Sequence, residues 1–200
     1  MNFEINHQEN YSRSELLLRT FLGLFYIALP HAFLMFFAGI WSAIINFIAF
    51  WSILFTGRYP EKMYNFQVGL IAWAVRVQAR MYNLADAYPA FGLKGTDEYT
   101  SFEMPYPEHI SRGKTLLRTF FGIFYVMIPH GFILYLRFIA MAFLSMVAFW
   151  VVIFTGKYPA EWHKFIVDTL RWNVRVSLYI SNMTDTYPPF SGKPDEEVDA

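Results

Sequence analysis

The chain has 200 residues, 56% of them hydrophobic and 20% aromatic, with 16% charged, a balance that points to a membrane protein. Lysine plus arginine and aspartate plus glutamate are equal at 16 each, so no basic excess suggests nucleic acid as a partner. With no cysteine, disulfides, thiolate metal sites and cysteine nucleophiles are excluded.

Residues 1–15 are polar, with Glu4, Glu9 and Glu15, and lack the basic start and cleavage site of a secretory signal; the apolar helix that follows is expected to be retained. Residues 16–37 are apolar except for Arg19, Thr20 and His31. At about 1.5 Å per residue that run can cross ~30 Å of hydrocarbon. A second apolar run covers residues 40–56, near the lower limit of roughly 17 residues for a crossing. Only Ala38 and Gly39 separate the two, which predicts a tight helical hairpin.

Thr56 and Gly57 suit a helix C-terminus, because glycine takes the left-handed conformation of a cap, and Pro60 suits the first turn of a new helix. Tyr59 between them is expected as an anchor in the interfacial aromatic belt. Over residues 60–85 the apolar positions Met63, Phe66, Leu70, Trp73, Val77 and Leu84 recur at helical spacing, opposite a polar line of Asn65, Arg76, Arg80 and Asn83. This predicts an amphipathic helix lying at the interface, with a third spanning helix as the rival reading.

A shift of 99 residues repeats the pattern: across residues 12–91 and 111–190, 34 of 80 positions are identical without a gap. Pro129-His130 matches Pro30-His31, Arg118 matches Arg19, and Thr155, Gly156, Tyr158 and Pro159 match Thr56, Gly57, Tyr59 and Pro60. The expected organisation is therefore a polar segment (1–15), repeat 1 (16–91), a linker (92–110), repeat 2 (111–190) and an acidic tail (191–200). If each repeat makes a hairpin and an interfacial helix, every charged residue except Arg137 falls on one side. By the positive-inside tendency that side is the cytoplasm. The fold class expected is an all-α membrane protein of two parallel tandem repeats with four crossings, seated in a bacterial inner membrane with both termini cytoplasmic.

The strings Phe154-Thr155-Gly156-Lys157-Tyr158-Pro159, Arg171-Trp172-Asn173-Val174-Arg175-Val176 and Asp185-Thr186-Tyr187-Pro188-Pro189-Phe190 resemble a bacterial membrane family classed as a domain of unknown function, number 4389. Nearly the whole chain is covered, as two copies. Repeat 1 departs from the pattern at Ala72 and Ala90. The resemblance implies an integral membrane protein and carries over no catalytic residue.

His31 and His130 are the ionisable groups deep in the first helices. Facing one another across the repeat axis they could ligate a haem iron; alternatively each is a neutral imidazole bonded to backbone freed by the preceding proline or to a neighbouring helix. Arg19, Arg76, Arg80, Arg118, Arg171 and Arg175 are candidates for anionic lipid headgroups, because a guanidinium matches phosphate bidentately. The alternative is pairing with Asp86, Asp168 or Asp185. Thr56, Gly57, Tyr59, Pro60, Thr155, Gly156, Tyr158 and Pro159 are read as structural corners. No phosphate loop, strongly spaced metal motif or nucleophile arrangement points to catalysis, a cofactor or a metal. The expected function is a non-enzymatic accessory or scaffold subunit of an inner-membrane complex, with membrane lipids and other subunits or a second copy as partners. A small transporter or channel, a haem-binding electron-transfer subunit and a curvature-generating protein are the alternatives.

Overall fold

A computed structural model describes residues 1–195, and the end of the expected tail, residues 196–200, lies outside the described residues. Strand β1 (Asn2–Ile5) is followed by α1 (Arg13–Gly23), a π-helical turn (Leu24–Ala28), α2 (Leu29–Thr56) and α3 (Glu61–Met81). Strand β2 (Thr100–Glu103) precedes the second set: α4 (Arg112–Gly122), a π-helical turn (Ile123–Met127), α5 (Ile128–Thr155) and α6 (Ala160–Ile180).

Each set opens on a serine cap, with Ser12 Oγ accepting from the Glu15 amide and Ser111 Oγ from that of Lys114. Each long helix closes on glycine: Gly57 and Gly156 both take φ +74° and donate their N–H to Ile53 and Val152. The corner motif is therefore a left-handed helix cap, after which Pro60 and Pro159 start α3 and α6.

The expected hairpin is absent. Helix runs without interruption from Arg13 to Thr56 and from Arg112 to Thr155, 44 residues each, through Ala38-Gly39 and through Arg137-Phe138. The cause is energetic. Alanine is the best helix former and one glycine costs only about 1 kcal/mol, whereas opening backbone hydrogen bonds in apolar surroundings costs several kcal/mol per group. At about 1.5 Å per residue such a helix has a contour near 66 Å, twice the ~30 Å of a hydrocarbon core.

One face of this helix meets the rest of the molecule along its whole length. In repeat 1 Leu16, Arg19, Gly23, Ile27, His31, Ile45, Ala49 and Ile53 are buried, with Met35, Ala38 and Ser42 half-buried between them at three- and four-residue spacing. The other faces are exposed and apolar. Phe55 and Phe154 are 74% and 75% exposed, and Phe21, Phe33, Phe47, Phe120, Phe132 and Phe143 lie open in the same way.

Beneath the long helices, α3 and α6 form the centre of the core, through Tyr64, Val75, Ala79, Ile166, Leu170 and Leu178. Their far sides are covered by segments expected as a polar N-terminal stretch, a linker and a tail. Residues 2–5 and 100–103 pair as antiparallel strands in the register Phe3 to Phe102, and Phe3, Ile5 and Phe102 turn inward. The linker runs along α3 so closely that a Cβ on Gly69 would lie 2.9 Å from the Leu93 carbonyl oxygen. The tail does the same on α6, where a Cβ on Gly192 would overlap the Asp168 carbonyl at 1.8 Å.

The repeats hold each other by reciprocal contacts. The Tyr11 amide donates to the Gly156 carbonyl at 2.8 Å and the Ile110 amide to that of Gly57 at 2.9 Å. Arg13 Nη2 donates to the Phe154 carbonyl and Arg112 Nη2 to that of Phe55. Every partner in one contact is shifted by 99 residues in the other, as an isologous two-fold relation requires. Each corner glycine is thus a docking point for the other repeat.

Candidate functional site

The two long helices are distorted at one matching place, and the sequence explains why. Pro30 and Pro129 have no N–H, so the carbonyls four residues earlier, on Tyr26 and Tyr125, lose their helical donor. The chain widens there into a π turn, with the amides of Leu29 and Ile128 bonding back to Leu24 and Ile123. The freed carbonyls are taken by side chains from beyond α3 and α6: Tyr88 OH donates to the Tyr26 carbonyl at 2.8 Å, and Tyr187 OH to the Tyr125 carbonyl at 2.9 Å.

Immediately after each proline a histidine enters an aromatic cage. His31 is fully buried; Trp73 Nε1 donates to its Nδ1 at 2.8 Å, and Phe91 stacks on its ring at 3.9 Å with planes 3° apart. His130 is held alike by Trp172 Nε1 at 2.9 Å and Phe190 at 4.0 Å. An indole N–H only donates, so Nδ1 is the bare nitrogen and the ring hydrogen of the neutral form sits on Nε2. His130 Nε2 lies 3.0 Å from Tyr187 OH, whose own hydrogen goes to Tyr125, so the histidine donates there. His31 Nε2 is buried without a hydrogen-bond partner.

This places both histidines in separate cages made by their own repeats, not across a shared axis. The proline-freed carbonyl goes to tyrosine, and the histidine bonds to the neighbouring helix. For iron ligation the residues do not fit: one ring nitrogen is occupied by tryptophan, and the other carries the hydrogen. Among the described residues no group of three His, Asp or Glu is arranged to hold a metal ion.

The six arginines expected to face headgroups lie inside the molecule. Arg19 bonds Asn83, Glu15 and Asp86, the last at 2.8 Å, and Asp86 also accepts from the Ser12 amide at 2.7 Å. Arg118 and Asp185 repeat the clamp, with Asp185 accepting from the Ser111 amide. The two aspartates therefore fix the starts of α1 and α4 and do not cap α3 and α6. Arg76 is held by the carbonyls of Ala90 and Gly92, and Arg80 pairs with Asp97 at 3.1 Å. Arg171 binds Asp168 and the carbonyls of Gly192 and Phe3, and Arg175 binds Asp195 and the carbonyls of Ser191 and Lys193. A buried guanidinium must be paired, and the linker and tail supply the partners.

The corners also differ from expectation in one respect. Tyr59 and Tyr158 are buried and not interfacial: Tyr59 OH donates to Asn46 Oδ1 at 3.3 Å, and the Tyr59 carbonyl accepts from Tyr106 OH at 2.5 Å. Thr56 and Thr155 donate to carbonyls one turn back, both at 2.7 Å, and serve the helix end.

Sequence reasoning did not single out Trp73, Trp172, Phe91 and Phe190 as partners of the histidines. The available signal was their identity across the 99-residue shift, in register with Pro-His.

Fold and site together define a duplicated helical protein with two helices long and apolar enough to cross a membrane, each widened into a π turn beside a buried histidine cage. The chain belongs to the family described as Domain of unknown function (DUF4389), which matches it twice, at residues 13–92 and 112–192. Both matches start at the first helical residue of a long helix and end just after the stacked phenylalanine. Comparison with curated proteins and with solved structures finds no match.

Proposed function

We propose that the chain is a non-enzymatic structural protein seated in one leaflet of a bacterial inner membrane from the cytoplasmic side, an accessory or scaffold subunit whose polar layer receives partners. The observation that carries this reading is the division of the surface. The open apolar side chains lie along the outer faces of the two long helices, where no Asp, Glu, Lys or Arg occurs between Arg19 and Arg58 and only Arg137 occurs between Arg118 and Lys157. The strands, the linker and the tail cover the opposite faces of α3 and α6. A helix packed along its whole length against such a polar layer lies in the plane of the membrane more readily than across it, since crossing would draw that layer into hydrocarbon.

In this arrangement the cations open to headgroups are not the six buried arginines but Arg13, Arg58, Arg112 and Lys157, at the ends of the long helices. The duplicated histidines and aspartates are engaged in internal bonds, which supports a structural role over a catalytic one. Solubilised in mild detergent, the chain is expected to run with a second copy or a companion subunit in fixed ratio. A lone monomer under all mild conditions counts against the scaffold role.

A second reading is favoured by the same one-sidedness: an apolar layer confined to one leaflet acts as a wedge and bends the bilayer. Liposomes that keep their shape at high protein load would exclude it.

A further inference from the structure

Arg137 stands apart from every other arginine. It is the lone charge on the apolar part of either long helix, it is half-buried, and among the described residues no carboxylate lies within 4 Å of it. Its Nε donates to Thr169 Oγ1 at 3.0 Å and its Nη2 to the Phe165 carbonyl at 3.3 Å, while Nη1 has no bond among the described residues. The guanidinium lies 4.3 Å over the Phe165 ring and 5.7 Å over that of Trp172, which fixes it on the seam between α5 and α6.

The same seam continues from Trp172 into an open apolar groove of about 330 Å³, walled by Met127 of the π turn, Gly131 and Leu134 of α5, and Val176, Ser177 and Ile180 of α6. Gly131 forms its floor: a Cβ there would meet nothing within 4 Å. The single hydroxyl on the α6 wall is turned back into its own helix, Ser177 Oγ donating to the Asn173 carbonyl. From Met127 to Phe138 the groove follows about 16 Å of α5.

A cation without a carboxylate within 4 Å, at the end of an apolar trough that opens beside the face proposed to meet lipid, matches an amphiphile with an anionic head and a hydrocarbon tail. We infer that repeat 2 carries a specific site for one anionic phospholipid, with its phosphate on the free edge of Arg137 and one acyl chain along the α5–α6 groove. Phosphate supplies the direct carboxylate-like contact that Arg137 lacks among the described residues, where Asp168 acts on it only from beyond 4 Å, through a charge-assisted bond to Nη1. The acyl chain covers apolar surface that the two helices leave open. Repeat 1 has Ala38 where repeat 2 has Arg137, so the site is single. This inference rests on the membrane seating proposed above and names the lipid that seating would retain.

The test uses the full chain in mild detergent, titrated with phosphatidylglycerol or phosphatidylcholine and read by native mass spectrometry. The wild type is expected to retain one phosphatidylglycerol. Arg137→Gln should weaken it about tenfold, leaving phosphatidylcholine unchanged. Gly131→Leu, whose Cβ enters open space and whose side chain extends into the groove, should weaken both lipids. Equal phosphatidylglycerol affinity in the wild type and in both variants overturns the site. Palmitate binding with the same dependence, in place of phosphatidylglycerol, overturns the occupant. Retention of the wild-type chain in carbonate-washed membranes is a separate readout: release there refutes the seating itself, whereas retention with unaltered lipid titrations refutes only the site.

Discussion

Repeat 1 closes its long helix onto α3 with a polar ladder at Ser42, Asn46 and Gln67, whereas repeat 2 puts hydrocarbon at two of those three positions and moves its polar contact to Arg137 and Thr169. In the first, Gln67 exchanges bonds with Ser42 and Asn46, and Tyr59 reaches the same asparagine. In the second, Met141 and Ile166 stand at the positions of Ser42 and Gln67, both fully packed. The connector contact is exchanged as well: Gly69 makes room on the helix for Leu93, while Gly192 makes room on the tail for Asp168. Either chemistry serves the seam, provided that one of two facing residues stays small where the connector crosses the helix. The kink proline, the caged histidine, the Arg-Asp clamp and the corner glycine are not exchanged, because each answers a backbone requirement that the two repeats share.

The clamp should separate the repeats most. Arg19→Met leaves Asp86 with a side chain only 12% exposed and is expected to cost about 3–5 kcal/mol. Arg118→Met should cost less, because Asp185 is 26% exposed and can draw on solvent. Denaturant unfolding in detergent checks this, and equal losses would break the comparison.

A pH dependence comes next, with one contribution that repeat 1 lacks, because His163 stands where repeat 1 has Tyr64. Burial, with His7 at a ring distance of 4.9 Å, pushes His163 down from 6.5 to about 4. The folded state therefore holds it neutral while the unfolded chain takes up a proton below about 6.5. Its contribution is complete above that pH, falls as pH drops to about 4, and loses no more below; the span is worth at most about 3 kcal/mol. His163→Gln should reduce the slope of the melting temperature across that window, and an unchanged slope would rule the residue out.

The kink offers a finer contrast. Tyr187→Phe orphans both the Tyr125 carbonyl and His130 Nε2, whereas Tyr88→Phe orphans only the Tyr26 carbonyl. Two lost bonds against one, at about 0.5–1.5 kcal/mol each at these partly exposed sites, should make Tyr187→Phe the more damaging. Thermal unfolding of the two variants in parallel would show it.

The corner glycines give the smallest effect. Alanine at either left-handed position costs about 1–2 kcal/mol. Gly57→Ala should exceed Gly156→Ala, because its Cβ would meet His109 Cε1 at 2.7 Å, while the nearest atom to Gly156 is Arg13 Nη2 at 3.7 Å.

What the sequence revealed follows the reach of its physics. The duplication, the corner caps and the extent of α3 and α6 are local in origin and were legible from glycine, proline and helical periodicity. The break expected at Ala38-Gly39 was misread because small residues between two apolar runs look like a turn, yet nothing there opposes helix. The fate of the arginines was hidden for another reason. Arg76 finds its carbonyls 14 and 16 residues away and Arg171 reaches Phe3 across 168, so an apparent solvent-facing row was the inner wall of a later contact. The strand pairing of Asn2 with Glu103 is similarly remote; only the alternation in Asn2-Phe3-Glu4-Ile5 hinted at it. The cage needed residues from three separate stretches.

In-plane seating is tested most directly by cysteine labelling, since the natural chain has no cysteine to interfere. Single cysteines at Gly39, Lys62 and Glu103 would be probed with a membrane-impermeant maleimide from each side of sealed vesicles. Seating in one leaflet predicts that Lys62→Cys and Glu103→Cys are labelled from the cytoplasmic side alone, and that Gly39→Cys is labelled from neither. Labelling of Gly39→Cys from the opposite side would mean that the long helix crosses the membrane, and would contradict the account.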